Sequence, residues 1–454
     1  MQRVTRVLAV GLSIAIIAMI AGCSGYAPSP LDDGRSDSAL STPDRQELAQ
    51  DAQQLRHPRI PPMTLDFSKP LTSDELAVIA VLVNPDLKAM RARAGVADAQ
   101  VFDAGLLPDP QLTAGLDRPT SGQAGLVNAY NVGVSWDILG LVTRRAARRV
   151  AQAKRIQVRE DIAWSEWLTA NQARLLAQRV AYLEAQHDLA QDAAAIANRL
   201  LDVSQRNLER HDIKIDEFAL RQVAYLDAQD KALALSRDIE KVRQELNRTL
   251  GLPPSERLPI APQKISVEQG RDARALFDIA RNERLDLIAL RAGYQAQEYQ
   301  LQRDLLARFP QINLGLHRAR DTGNITTLGF SVGITLPIFN GGRGTIAISL
   351  ATREQLRAEY TARLHQTRSD IATLVADLER IDREIAPLVS QLPALQRAEE
   401  TMRAGVGSGD VTLISYETVR ATLLDKRLKL SSLEQAKAEQ QVALQLATGA
   451  PWHS

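Results

Sequence analysis

The chain repeats itself at an interval of about 200 residues. The segment PQLTAGL at 110–116 recurs as PQINLGL at 310–316, and VGVSWDI at 132–138 recurs as VGITLPI at 332–338. A repeat of this length indicates a duplicated structural unit rather than a solenoid of short repeats. We therefore predict a pseudo-symmetric chain with two structural repeats, the first at 69–254 and the second at 255–454.

The N-terminus has the pattern of a bacterial secretory signal at 1–22. Two arginines precede an apolar stretch at 7–20 that is too short to span a bilayer comfortably. The small residues Ala-Gly then stand directly before Cys23, the only cysteine of the chain. This arrangement resembles a lipobox, so we predict that Cys23 is acylated and begins a lipidated N-terminal tail at 23–68. The alternatives are an uncleaved anchor or a free thiol.

Composition excludes several classes of protein. The chain has 55 basic and 54 acidic residues, so no global charge attracts nucleic acid. Aromatic residues make up only 4% of the sequence, while Ala, Leu, Gln, Arg and Glu dominate long tracts, as in extended helices. After the signal there is no apolar run of about 18 residues that would predict a membrane-spanning helix. The sequence therefore predicts a mainly α protein.

Four short segments interrupt the helical pattern with strict alternation of aliphatic and small polar residues. This period of two is typical of half-buried strands. We predict strands at about 111–118, 130–138, 310–318 and 328–338. Each pair is joined by a loop rich in Gly, Asn or Thr, so each pair is expected to form a hairpin.

Such strands fit two settings. One is a soluble sheet with its aliphatic face on a core, and the other is a transmembrane barrel with that face towards lipid and the polar face towards a wet lumen. Four strands cannot close a barrel, and open sheet edges in hydrocarbon are very costly. The barrel interpretation therefore requires several copies of the chain. Two copies would give a bore filled by side chains, and three would give a lumen.

Long proline-poor segments predict four long helices that pack in coiled-coil fashion. They are expected at about 143–207, 216–250, 345–403 and 413–447. Pro387 and Pro393 are expected to break or kink the third helix. Asp212 and Asp410 occupy corresponding places in the two connections between long helices, and each is expected to cap the helix that follows.

Three sequence strings resemble those of a known protein family. They are NPDL at 84–87, AGLLPDPQL at 104–112 and LPIFNGG at 336–342. Together with the lipobox, the duplication and the long helix pairs, they resemble the TolC-like outer membrane factors, specifically the lipidated branch that serves tripartite efflux pumps. The resemblance covers roughly 70–451.

The resemblance implies a fold, a location and partners. The expected fold is a homotrimer in which four strands per chain contribute to a 12-stranded outer-membrane β-barrel, while the long helices form a periplasmic α-barrel. Short helices near 70–100, 252–300 and the chain end would form an equatorial belt. Such a channel passively conducts substrates delivered by a periplasmic adaptor and an inner-membrane transporter. It lies in the outer membrane lipid, needs no cofactor and is not an enzyme.

The resemblance also points to a periplasmic entrance, which this family often narrows with acidic side chains. The corresponding positions here are Ser415 and Thr418, which are not acidic. The nearby carboxylates Asp410 and Glu417, and Asp216 and Glu217 in the first repeat, are the other candidates, because threefold symmetry would turn each into a ring of like charges. Alternatively, they are solvated residues at helix starts.

No pattern in the chain indicates a catalytic or metal site. None of the six histidines has a partner at ligand spacing, and the glycine-rich segment at 341–344 lacks the Lys-Ser/Thr ending of a phosphate loop. Two further functions remain open on the sequence. One is a type I secretion duct for polypeptides, and the other is a lipid-anchored helical scaffold without a pore.

Overall fold

The structure is a computed structural model that describes residues 27–34, 37, 40–122, 125–263 and 272–452. The chain divides into two compact units, Met1–Thr42 and Pro43–Ser454. The predicted signal and Cys23 lie outside the described residues. The helices and strands named below all lie in the second unit.

The described part of this unit contains nine helices and four strands. Their order is α1 (Arg45–Gln53), α2 (Ser73–Val83), α3 (Pro85–Asp103), β1 (Gln111–Asp117), β2 (Ala129–Asp137), α4 (Ile138–Glu209), α5 (Ile215–Leu250), α6 (Ala273–Glu283), α7 (Leu285–Leu306), β3 (Gln311–Arg320), β4 (Thr326–Thr335), α8 (Arg343–Ser408) and α9 (Leu413–Thr448).

The long helices are longer than their sequence pattern indicates. Helix α4 has 72 residues and starts directly after β2, which corresponds to about 110 Å of helix at 1.5 Å per residue. Within the described residues, no helix combines the length and the apolar character needed to cross a membrane.

Helix α8 passes through both of its prolines without interruption, so of the predicted break or kink the break is wrong and the kink stays a prediction. Pro387 and Pro393 lie inside a helix of 66 residues. A proline removes only one backbone hydrogen bond of the helix. Leu392 lies between the two and is buried, so tertiary packing holds this segment helical against the local preference.

The predicted caps at Asp212 and Asp410 are also wrong. Thr412 caps α9 by accepting a hydrogen bond from the Ser415 N–H, and Lys214 precedes α5 without a side-chain cap. Asp410 lies two residues before Thr412 and instead accepts a 2.7 Å hydrogen bond from the Ser408 hydroxyl. In α9 the cap is the residue next to the first turn, because its side chain lies close enough to reach the free N–H groups.

The four strands form one antiparallel sheet in the order β1-β2-β3-β4. Strand β2 of the first repeat pairs with β3 of the second over eight residues, so the two hairpins lie side by side. Strand β4 begins at Thr326, earlier than predicted, because Asn324 closes a short turn with a left-handed backbone. It ends before Pro337, which has no N–H for the ladder.

The main core lies where the short helices meet the middle of α4. Helix α2 is buried almost throughout, and it packs with Trp167 and Val180 of α4 and with Leu250 of α5. The segment that follows α1 joins this core, and Leu71 forms a parallel bridge with Ile260. The short helices thus support the midpoint of the long helices, far from the sheet.

Candidate functional site

One face of the sheet is aliphatic and open. The exposed fractions of its large apolar side chains range from 37% to 82%. They belong to Leu112, Leu116, Val132, Val134, Ile312, Leu316, Leu328, Phe330, Val332 and Ile334. A sheet of a soluble protein would bury such a face, and a continuous exposed apolar surface of this size marks contact with lipid or another protein. Of the two settings that the alternation allows, the structure favours lipid contact.

The opposite face carries only small or polar side chains in its middle. Strand register places Thr113, Gly115, Asn131, Gly133, Ser135, Asn313, Gly315, His317, Ser331 and Gly333 on it. A Cβ atom at Gly329 would lie 2.6 Å from the ring of His317, and one at Gly315 would lie 2.6 Å from the Ser331 Oγ. The glycines therefore leave room for neighbouring polar side chains. Such a surface suits the wall of an aqueous channel.

The two outer edges of the sheet are unpaired. Among the described strands, β1 pairs with β2 alone and β4 pairs with β3 alone. The strands alternate in direction, so β1 and β4 run in opposite directions. A second copy could therefore continue the sheet in the same antiparallel pattern, and the ladder could close into a ring without a mismatch.

At the far end of the long helices, the predicted entrance residues occupy different environments. Asp216 and Glu217 are exposed in the first turn of α5, and Asp410 is exposed in the connection before α9. The Ser415 N–H belongs to the Thr412 cap, and the Thr418 hydroxyl donates to the Ile414 carbonyl at 2.7 Å. Within one chain these groups form no acidic cluster, and a ring across several copies stays a prediction.

Glu417 differs from the other entrance candidates because it is buried. Only 3% of the residue is exposed, and its carboxylate accepts a 3.1 Å hydrogen bond from the Nε of Arg199 on α4. Arg420 lies 4.0 Å from the same carboxylate. Next to it, the Tyr416 hydroxyl donates to Glu399, and burial raises the pKa of this tyrosine with help from that carboxylate. These contacts tie the start of α9 to α4 and α8.

A second polar cluster lies in the core and joins distant parts of the unit. Arg174 of α4 forms an ion pair with Asp74 at 2.5 Å, donates to Gln445 at 2.6 Å and lies 4.4 Å from the ring of Trp452. Burial lowers the pKa of its guanidinium, and Asp74 counteracts that effect. Trp452 also contacts Trp167 in a tilted arrangement, with ring centroids 5.5 Å apart and 42° between the ring planes. The chain end is thereby held on α4.

His57 holds the segment after α1 on α4. Its Nε2 donates to the Ala163 carbonyl at 3.0 Å, and its Nδ1 accepts from the N–H groups of Arg59 and Ile60, each at 3.1 Å. Both ring nitrogens are satisfied only in the neutral form. Burial lowers the pKa of this imidazole, which keeps it neutral. Sequence reasoning missed this role, since a lone histidine in an irregular segment has no distinguishing pattern.

A metal site built from His, Cys, Asp or Glu needs at least three such side chains close together. No such group occurs among the described residues.

Comparison with protein families gives a match for the second half of the chain. Residues 276–450 match the family described as outer membrane efflux protein. Comparison with curated protein sequences finds no significant match.

Comparison with solved structures extends the likeness to most of the chain. The outer-membrane channel OprN matches with a TM-score of 0.69 at 15% identity, covering 95% of this chain and 100% of OprN. VceC of Vibrio cholerae matches at 0.67 and 17% identity, covering 84% and 97%. The CmeC outer membrane channel of Campylobacter jejuni matches at 0.68 and 14%, covering 83% and 85%. At sequence identities this low, the matches show that the fold is shared and nothing further.

The match and the fold together define the class. The resemblance to the TolC-like outer membrane factors is confirmed, and so is the fold class of long helices with a four-stranded contribution to a membrane barrel. Residues 276–450 carry the match to the outer membrane efflux protein family, and the chain has the fold of outer-membrane channels such as OprN. The matched family and this fold are those of channel proteins.

Proposed function

We propose that three copies of this chain form a passive duct in which the four-stranded sheets join edge to edge into a 12-stranded barrel. The supporting observation is the sheet itself, with one open aliphatic face, one small polar face and two unpaired edges of opposite direction. The helix pairs α4–α5 and α8–α9 of the repeats 69–254 and 255–454 would extend the duct into the periplasm. As in the family, it would act with a periplasmic adaptor and an inner-membrane transporter.

Two parts of the proposal lie at the ends of the duct. An acylated Cys23 would anchor each chain in the lipid. A comparison of the intact masses of the mature wild-type protein and of the C23A variant would test whether Cys23 is acylated. At the helix tips, the candidates Asp216, Glu217, Asp410, Ser415, Glu417 and Thr418 would line or brace the entrance. Glu417 fits a bracing role best because it is paired with Arg199.

A pair of neighbouring substitutions in β4 tests the duct. Val332 lies on the aliphatic face and Ser331 on the polar face. Val332→Arg places a charge towards hydrocarbon at a cost of about 2–4 kcal/mol near the bilayer midplane, whereas Ser331→Arg faces water. We expect V332R to lose membrane insertion and S331R to keep it with altered ion conductance in planar bilayers. Equal insertion of both variants would contradict the proposal.

A further inference from the structure

We propose that a rim of arginines at the loop end of the aliphatic face binds the phosphate groups of outer-leaflet lipid headgroups. The rim arginines are Arg118, Arg318 and Arg320. The inference rests on the proposed function, because that function orients the sheet with its loops towards the outer leaflet.

Strand register places the rim arginines on the lipid side. Arg318 and Arg320 alternate with His317 and Ala319 and share a face with Leu316. Arg318 stands opposite Val132 and Leu328 in the neighbouring strands, and Arg320 stands opposite Tyr130 and Thr326. Guanidinium groups thus continue the two outermost rows of a face that is otherwise apolar.

The first repeat carries the same feature. Arg118 follows the last residue of β1 and corresponds to Arg318 at the interval of the repeat. Continued alternation gives it the side of Leu116. Both arginines are exposed. Neither hairpin contains a lysine, so all the cations of the rim are arginines, whose planar fork matches a phosphate.

Charges of opposite sign are separated between the two faces. Asp117 pairs with Ala129 on the polar side, away from Arg118. Asp321, just after Arg320, uses its carboxylate within the turn by accepting from the Ile325 N–H at 2.9 Å. Arg318 forms no hydrogen bond or ion pair with any described residue. Among the described residues no carboxylate forms an ion pair with Arg118, Arg318 or Arg320, so the outward side of the rim is positive.

Arg320 is oriented but not satisfied. One Nη donates to the Asn128 carbonyl at 3.0 Å, and the guanidinium lies 5.1 Å from the centre of the Tyr130 ring. Its Nε is buried and has no acceptor among the described residues. The Nη that does not contact Asn128 stays available to an anionic oxygen from outside the chain, which would also meet Arg318 two residues away.

The distance of the rim from the other end of the sheet matches the thickness of the apolar band, which puts the rim at the depth of the lipid headgroups. Phe309, 64% exposed, lies just before β3 at the opposite end of the sheet. Nine residues separate it from Arg318, or about 30 Å along a strand. With strands tilted by about 35–45°, that is roughly 21–24 Å of membrane depth, close to the ~25 Å apolar band of such barrels. At this depth an outward arginine costs little and can reach phosphates.

Lipid retention by the purified full-length protein tests the inference. Delipidated trimers are mixed with lipid A that carries both phosphates or with the same lipid after removal of the phosphates, and bound lipid is counted by native mass spectrometry. The variant R118Q/R318Q/R320Q is compared with R206Q/R210Q/R237Q, which removes three exposed charges from α4, α5 and their connection. A milder variant, R118Q/R318Q, changes only exposed side chains.

Wild-type protein and the helix control should prefer the phosphorylated lipid, and the preference should fall about fivefold for each rim arginine removed. R318K, which keeps the charge and loses the fork, should be intermediate. Planar-bilayer conductance is recorded on the same preparations. A conducting wild-type trimer without phosphate preference, or rim variants that keep the full preference, would overturn the inference alone. Wild-type protein that neither trimerises nor conducts would overturn the proposed function as well.

Discussion

At the scale of residues, His57 and Arg174 show how polar groups hold the core of the second unit. Each is buried, and each contacts residues far away in the sequence: Ala163 for His57, and Asp74 and Gln445 for Arg174. Removing one partner from a buried, hydrogen-bonded pair leaves the other unsatisfied. These two side chains therefore fix how the N-terminal segment and the chain end lie on α4.

The neutral state of His57 predicts a stability that depends on pH. Because burial lowers its pKa in the folded state, the unfolded chain takes up a proton first as the pH falls. The free energy of unfolding should be constant above about pH 6.5 and decrease below it. Thermal unfolding from pH 8 to pH 5 measures this decrease.

His57→Asn should remove part of that pH dependence, since the asparagine oxygen can replace Nδ1 as acceptor while the bond to Ala163 is lost. We expect a cost of about 1–3 kcal/mol at pH 8. His365→Asn, on the exposed face of α8, is the matched control and should leave the curve unchanged. An unaltered pH profile in H57N would show that other groups cause the dependence.

At the scale of elements, the two repeats end their last long helices in the same way. Gly251 after α5 and Gly449 after α9 both have φ of +67°. A Cβ at Gly251 would lie 3.0 Å from the Pro85 Cδ, and one at Gly449 would lie 3.0 Å from the Arg284 Cα. The glycines thus combine a left-handed helix end with close packing on α3 and α7 respectively.

Gly251→Ala and Gly449→Ala should each destabilise the protein by about 1–2 kcal/mol or more, because an L-residue is strained in this backbone region and its Cβ lacks space. Gly407→Ala is the control. It lies inside α8 with open space around its Cβ, so alanine should be neutral or stabilising by up to about 1 kcal/mol. Thermal unfolding followed by circular dichroism compares the three. A harmless G449A would contradict the cap interpretation.

At the scale of the whole molecule, the main consequence of the fold is a sheet whose two edge strands have no outer neighbour among the described strands. Among the described strands, only β1 and β4 have free backbone groups at the edges of the sheet. In hydrocarbon such groups must be paired. The proposed assembly would meet this requirement, and the alternating strand directions would place β1 of one copy antiparallel to β4 of the next.

Cysteine pairs test that contact. Thr113→Cys in β1 is combined in turn with Thr327→Cys, Ser331→Cys or Gly333→Cys in β4, all in a C23A background that lacks the native thiol. One register should give an oxidised ladder of linked dimers and trimers on denaturing gels. Thr113→Cys with Asn313→Cys in the interior strand β3 is the control and should give no ladder. Monomers from every β4 pair would rule out this edge contact.

Local patterns in the sequence predicted much of this protein. The repeat, the four alternating segments and the long helical tracts all depend on periodicities of neighbouring residues, which alone determine which face of a strand or helix is apolar. The two unlike faces of the sheet, and hence the need for several copies, follow from the same information. So does the family resemblance, which rests on short strings in both repeats.

Only the tertiary structure decided what depends on residues distant in sequence. It joined the two hairpins through β2 and β3, paired Glu417 with Arg199, buried His57 and Arg174, and kept α8 helical through Pro387 and Pro393. The physical reason is the same in each case. Burial and packing against a far part of the chain contribute more free energy than the local preference that a short window of sequence expresses.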